Sequence, residues 1–195
     1  MPELVPGLVS VIVHPPVDIE RFNVAEPKER KGFVIAGRQV PQKRFDLAIQ
    51  ACNKTGQQLI VLGKGPEHKR LAAMGGPTIS FREQVSDSEM PGLIANAEAF
   101  IFPCFDDFGI VPIEAMAAGT PVIAYKAGGA LNYVIPGKTG EFFDEQTVPS
   151  LRKALRTFDA KRFKAAVIRQ HAKGFSPEVF EDKLRQFIDN LPQER

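Results

Sequence analysis

Two cysteines and three histidines in 195 residues leave little room for several chemistries. Cys52 falls in a predicted amphipathic helix and Cys104 at the end of a predicted strand, too few for a disulfide framework. No histidine is paired with Cys104 in the sequence to make it a nucleophile, so both thiols are expected to be reduced bystanders. His14, His68 and His171 are scattered, with no spacing that suggests zinc. Long apolar runs are absent as well: none approaches the roughly 20 residues of a membrane-spanning helix. The opening MPELVPGLVSVIVHPP lacks the basic start and cleavage site of a secretory signal, and the expected compartment is the cytoplasm. Charge of one sign is scarce, the net being +2 with basic and acidic residues intermixed. No basic stripe marks a nucleic-acid surface.

What is present is a globular composition, 44% hydrophobic, in a length that fits one well-buried core. Predicted strands and helices alternate at least five times with short connections and no internal repeat. That pattern argues an α/β fold with a parallel, doubly wound sheet. The stretch 99–129, AFIFPCFDDFGIVPIEAMAAGTPVIAYKAGG, is its most informative part. AFIFP and TPVIAY read as strands buried on both faces, and IVPIEAMAAG between them as a helix. Pro112 at the first helical position would make Val111 the cap residue and Glu114 the third helical residue. Val cannot cap with its side chain, so the first N–H groups would stay open toward the 105–109 loop, a seat for an anion. Glu114 is the one charge between Ile110 and Tyr125 and needs a partner or a purpose. A plain dipole-complementing role is the alternative, less attractive because Asp106 and Asp107 already make that entrance negative.

These residues resemble a known family. DDFGIVPIEAMAAGTPVIA is similar to the E-x7-E donor-sugar motif of the retaining GT-B glycosyltransferases, in particular the large family 4 (group 1). Asp106 and Glu114 stand at its two acidic positions, with Asp106 replacing the usual first Glu. The resemblance runs from His14 to about Phe187. It implies a Rossmann-like sheet with helices on both faces, the C-terminal half of a GT-B fold. The PPVD…F segment resembles the family's hinge, which divides the chain into a hinge with a first strand (1–22), a nucleotide-sugar-binding domain (23–175) and a C-terminal helix (176–195). That helix would pack back toward an N-terminal acceptor domain that this chain does not supply.

Further site residues follow from the same resemblance. In KGFVIAGRQVPQKRF, a loop at a strand's C-terminal end carries Gly37, Arg38 and Lys43, and the two cations match the pair the family places on the donor diphosphate. A solvated loop is the bland reading of the same residues. Arg82 and Val85, after a later strand, are candidates to edge the nucleotide base. Phe108, Gly109, Ile110 and Val111 would supply the loop and amides beside the diphosphate, Glu114 would accept from the ribose and Asp106 from the transferred sugar. Gly128 and Gly129 would let the backbone come close to a ligand. The implied function is hexosyl transfer, mannosyl by closest likeness, from a nucleotide-sugar to a glycan or lipid-linked acceptor. GDP-mannose is favoured over UDP-sugars. No metal is required, since cations and amides offset the departing diphosphate and the D-x-D spacing of metal-dependent transferases is missing. The complete enzyme could touch the inner membrane face peripherally.

Three rival readings stand beside this one. A non-catalytic nucleotide-sugar-binding module is suggested by a chain too short for an acceptor domain. A nucleotide-sugar epimerase on the same fold would need acid and base groups that are not visible. Gly63-Lys64-Gly65 invites a nicotinamide-dinucleotide reading, with Glu83 near the distance of a ribose-binding acid, but His68 occupies the place of the third glycine.

Overall fold

A computed structural model describes residues 11–191. Six parallel strands form one sheet: β1 (Phe33–Ala36), β2 (Leu59–Leu62), β3 (Ile79–Arg82), β4 (Ala99–Phe102), β5 (Val122–Tyr125) and β6 (Gly140–Phe143). Their spatial order is β3-β2-β1-β4-β5-β6. The chain winds outward from β1 in one direction, returns to the centre, and winds outward from β4 in the other. This is the Rossmann-like α/β architecture expected from the alternation of elements.

Among the described residues eight α-helices connect and flank the strands: α1 (Phe45–Thr55), α2 (His68–Met74), α3 (Met90–Ala95), α4 (Ile110–Ala117), α5 (Ala130–Tyr133), α6 (Val148–Thr157), α7 (Ala165–Ala172) and α8 (Pro177–Asp189). Alternation along the strands divides the core in two. Val34, Leu62, Phe100, Val122 and Ala124 face a cluster completed by Ile113 and Met116 of α4 and Ile168 of α7. Phe33, Ile35, Val61, Ile101 and Ile123 face the other, with Leu47 and Ile49 of α1 and Leu151 of α6. Each strand of the central pair is thus apolar at successive positions because both of its faces are covered.

Local signals set most boundaries. Phe45, Leu47, Ala48, Ile49 and Cys52 are all buried on the inner face of α1, which Gly56 ends in a left-handed turn with φ +69°. Ser86 and Glu89 form the expected capping box: the Glu89 N–H donates to Ser86 Oγ (3.3 Å) and the Ser86 N–H to Glu89 Oε2 (3.0 Å). Ser176 caps α8, accepting from the Val179 N–H, with Pro177 in the first turn.

Three expectations are corrected. The strand expected before the hinge falls partly at 1–10, outside the described residues, and the remainder is irregular until a single 3-10 turn, Glu20–Phe22. The pattern of AKRFKAAVIRQHAK predicts one helix from the sequence, but the helix is broken, because Phe163 leaves helical geometry and stacks on Phe158 with ring centroids 5.1 Å apart. The start of α4 lies two residues earlier than Pro112 implied: Gly109 is the cap in place of Val111, Ile110 the first helical residue and Pro112 the third. Gly109 makes the turn at φ +87°, a backbone state open to glycine, and Pro112 is tolerated because an N–H in the first turn has no helical partner to lose. Glu114 is therefore the fifth residue of α4, beyond the dipole-rich first turn.

Candidate functional site

The order of the strands reverses between β1 and β4, and the loops leaving their C-terminal ends part there, one to each face. Such a switch point opens a crevice in any doubly wound sheet. In this protein it is a cleft of about 410 Å³, lined on one side by residues 35–38 with Lys43 and Phe45, and on the other by residues 100–104. Asp106, Phe108 and Gly109 continue the second wall, and Ile110, Val111 and Pro112 close it with the start of α4. Pro15 of the N-terminal segment reaches the same cleft. Its floor is apolar and its polar groups are few and placed at the rim, the usual character of a small-molecule site.

Two walls are joined by an ion pair between Lys43 Nζ and Asp106 Oδ2, both side chains about one-third exposed (37% and 31%). Arg38 is exposed at the mouth. The backbone N–H groups at the start of α4 have no capping side chain, so they remain available to an anion, as the sequence suggested for a different cap residue. Cys104 lies on the wall as a buried thiol pushed up to about 11, chiefly by burial, and so holds its proton.

The 105–109 loop is fixed from behind by backbone. The Gly129 N–H donates to the Asp106 carbonyl at 2.8 Å, and a Cβ at Gly129 would overlap the main chain of Phe108. Gly128 likewise leaves no space for a side chain against Asp106. The close approach expected of this glycine pair is therefore made to the loop itself. From the other side, the His14 ring stacks on Phe108 at 5.1 Å and 16°, and Phe175 and Tyr133 complete the cluster. Gly109 fits between Phe102 and Tyr133, since a Cβ there would lie 2.7 Å from Phe102 and 2.8 Å from the Tyr133 hydroxyl. That hydroxyl is buried without a hydrogen-bond partner among the described residues, and burial pushes its ionisation upward.

Not every residue singled out in the sequence reaches the cleft. Gly37, Arg38, Lys43, Asp106, Phe108, Gly109, Ile110 and Val111 line it together. Glu114 does not: it is half-buried on the flank of α4 that faces the 3-10 turn Glu20–Phe22, its carboxylate without a hydrogen bond or ion pair among the described residues. Burial pushes its carboxyl above the ordinary range, the Arg21 charge opposes the rise and Asp18 adds to it. Arg82 and Val85 also lie outside the cleft lining, Arg82 exposed at the end of β3 and Val85 packed on the core. Arg21 meanwhile pairs with Asp87 of the following loop at 2.6 Å. Pro15, Phe45 and the 100–104 wall were not anticipated as site residues. Phe45 was legible only as a core position, and the 100–104 wall becomes a wall only through the β1–β4 neighbour relation.

Among the described residues, no three His, Cys, Asp or Glu side chains converge to hold a metal ion. Nor is any helix of those residues long and apolar enough to cross a membrane.

The sequence profile of the family glycosyl transferases group 1 matches residues 16–175, ending at Phe175 of the aromatic cluster. The chain belongs to this family. The GDP-mannose-dependent alpha-(1-6)-phosphatidylinositol monomannoside mannosyltransferase of Mycolicibacterium smegmatis is 30% identical over 183 residues, 79% of this chain and 48% of that protein. The D-inositol 3-phosphate glycosyltransferase of Streptomyces avermitilis is 27% identical, covering 78% of this chain and 39% of the relative. The chain thus spans about half the length, or less, of these curated relatives. Its fold is also that of sucrose-phosphate synthase from Thermosynechococcus elongatus, with a TM-score of 0.72 and 26% identity over 92% of this chain and 50% of the other. HepE from Anabaena, solved with UDP and glucose, gives a TM-score of 0.72 at 21% identity over 92% of this chain and 56% of HepE, a likeness of fold alone.

Proposed function

We propose that this chain is the nucleotide-sugar-binding half of a retaining glycosyltransferase that moves a hexosyl group, mannosyl from GDP-mannose in our reading, to a glycan or lipid-linked acceptor. The observation that carries the proposal is the cleft between β1 and β4, where Arg38, Lys43 and the uncapped amides of α4 gather around one apolar floor. Transfer leaves a diphosphate that gains negative charge as the glycosidic bond breaks. Groups already aimed at that charge lower the barrier without rearranging at the moment of reaction.

Arg38 and Lys43 take the diphosphate in this scheme, and Asp106 hydrogen-bonds the transferred sugar. Binding requires Lys43 to exchange its Asp106 partner for phosphate oxygens, which frees the carboxylate for sugar hydroxyls. Glu114, on the flank beyond the helix start, accepts from the ribose, and the 82–85 segment edges the base. No metal enters this scheme. The acceptor is bound by a domain outside this chain, and α8 is the element suited to meet it, since none of its residues is buried although Leu184 and Ile188 are apolar.

The mannosyl reading draws support from the relative in Mycolicibacterium smegmatis, whose name specifies GDP-mannose. UDP-sugar is the competing donor, supported by the UDP complexes of HepE. Thermal-shift measurements with GDP, UDP, ADP and their sugars test both, because a ligand bound only by the folded state raises the melting temperature by mass action. GDP and GDP-mannose are expected to give the largest shifts, undiminished by chelator. A shift with UDP-sugars alone would replace the mannosyl donor, and no shift with any nucleotide would remove the donor-binding role.

A further inference from the structure

The glycine turn at 63–65 has no task in the donor scheme, yet it is packed against the loop that carries Arg38. Gln39, next to Arg38, is completely buried. Its N–H donates to the Lys64 carbonyl at 3.0 Å, and its carbonyl accepts from the Glu67 N–H at 3.1 Å. A Cβ on Gly65 would lie 2.7 Å from the Gln39 nitrogen, so the two loops meet backbone to backbone. The glycines of the turn serve this contact, which is a different use from the dinucleotide cradle their spacing suggested.

The Gln39 side chain is oriented without ambiguity. Its far end sits 2.6 Å from the Gly63 carbonyl, which can only accept, so the amide nitrogen is the atom there. Oε1 is then the atom 2.9 Å from His68 Nδ1, and as an oxygen it too only accepts. His68 Nδ1 must carry a proton. The other ring nitrogen, Nε2, lies 3.2 Å from Glu83 Oε1. It donates to that carboxylate only when the ring is an imidazolium; a neutral ring would turn a lone pair toward the negative charge. From β3 the Phe81 ring meets the imidazole edge to face at 5.7 Å, and on the imidazole's own helix Glu67 is engaged by Arg70. Lys64, Lys69 and Arg82, with Arg38 itself, are the remaining charged residues of the segments packed here.

We propose that Gln39 and His68 are positioning residues for Arg38: the chain Glu83–His68–Gln39–Gly63 fixes the backbone from which the guanidinium reaches the donor diphosphate. The inference rests on the diphosphate reading of Arg38 and adds to it a support on the far side of the loop. An exposed arginine on an unsupported loop would lose side-chain and backbone freedom on binding each phosphate, and a preset backbone removes part of that cost. The chain binds no substrate itself.

The test uses Gln39→Met, which keeps length without polar atoms, and His68→Phe, which keeps the ring and its contact with Phe81. Each is titrated calorimetrically with GDP, UDP, guanosine and uridine, beside Arg38→Ala. Both variants are expected to weaken the better-binding diphosphate by roughly tenfold while changing its nucleoside by less than twofold. Ring-nitrogen NMR of the wild type is expected to show His68 Nδ1 carrying a proton. If either folded variant binds diphosphate as the wild type does, or loses diphosphate and nucleoside equally, the support is refuted. A neutral ring protonated at Nε2 refutes it without any variant. Loss with Arg38→Ala but not with Gln39→Met or His68→Phe sinks the support and leaves the diphosphate reading intact; no loss with Arg38→Ala removes that reading and the support with it.

Discussion

Lys43 and Asp106 face each other across the cleft and form an ion pair between the loop after β1 and the loop after β4. Each carries a different task in the proposed reaction, so the pair must part when donor binds. Asp106→Asn removes Lys43's partner and a negative charge beside the diphosphate. GDP or UDP affinity is expected to stay equal or rise, while affinity for the intact nucleotide-sugar falls. A pair this exposed contributes at most about 1 kcal/mol to folding, so the melting temperature should move by only a few degrees. Lys43→Ala should weaken diphosphate far more than nucleoside, and less so at high salt. Titrations with diphosphate, nucleotide-sugar and nucleoside at two salt concentrations check the set.

Glu114→Gln separates binding from stability. Burial raises the folded-state pKa of this carboxyl, so the folded protein holds the proton more tightly than the unfolded chain. Its contribution to folding is therefore complete at low pH and is lost as pH rises through the folded-state range. At pH 7 the neutral glutamine avoids the cost of a buried charge, and the variant is expected to melt no lower than wild type, with its advantage disappearing in acid. Nucleotide-sugar affinity should nevertheless fall by about 1.5 to 3 kcal/mol, the worth of a charge-assisted hydrogen bond. Melting curves from pH 4 to 8 and calorimetric titration measure the two effects separately.

Gly129→Ala should displace the 105–109 loop, because the added methyl would overlap the Phe108 backbone. Overpacking of this kind costs about 1 to 3 kcal/mol. Gly174→Ala, with nothing within 4 Å of the added carbon, is the control and should change stability little. Chemical denaturation of both variants, with nucleotide-sugar binding by Gly129→Ala, gives the comparison.

Neither thiol should react in the folded protein. Burial pushes Cys52 up to about 12 and Cys104 up to about 11, and both are shielded from solvent. Alkylation at pH 7.5 is expected to modify neither cysteine within an hour and both once denaturant is added. Mass spectrometry of the intact chain reads the result.

Much of this arrangement was legible in the residues, for identifiable reasons. The periodicities of 33–36 and 99–102 announced buried parallel strands, Gly56 ended α1 as its position predicted, and Ser86 with Glu89 spelled out a capping box. The fold class followed from such local signals, and the family from the resemblance carried by the run around Glu114. What stayed hidden depended on tertiary position. Pro112 looked like a first helical residue until the positive φ of Gly109 showed where the chain turns. Gly128 and Gly129 announced a close approach without saying to what. The ring of Phe163 found Phe158 and interrupted a helix that its own segment favoured. Strand order could not be read from spacing, and with it went the 100–104 wall of the cleft and the separation of Glu114 from it.

The register of β1 on β4, Phe33 opposite Ala99 and Val34 opposite Phe100, has a consequence for how the molecule comes into being. The central pairing of the sheet joins segments with two whole strand-helix units between them, so it closes a long loop and makes a late, entropically demanding contact. During synthesis Arg38 and Lys43 emerge early and wait for Asp106, whose segment must be made, turned and docked before any cleft exists. A partly folded chain holds half of the binding groups on an open edge. In the proposed scheme nucleotide would therefore recognise only the finished sheet, and its binding would act as a check on the completion of folding.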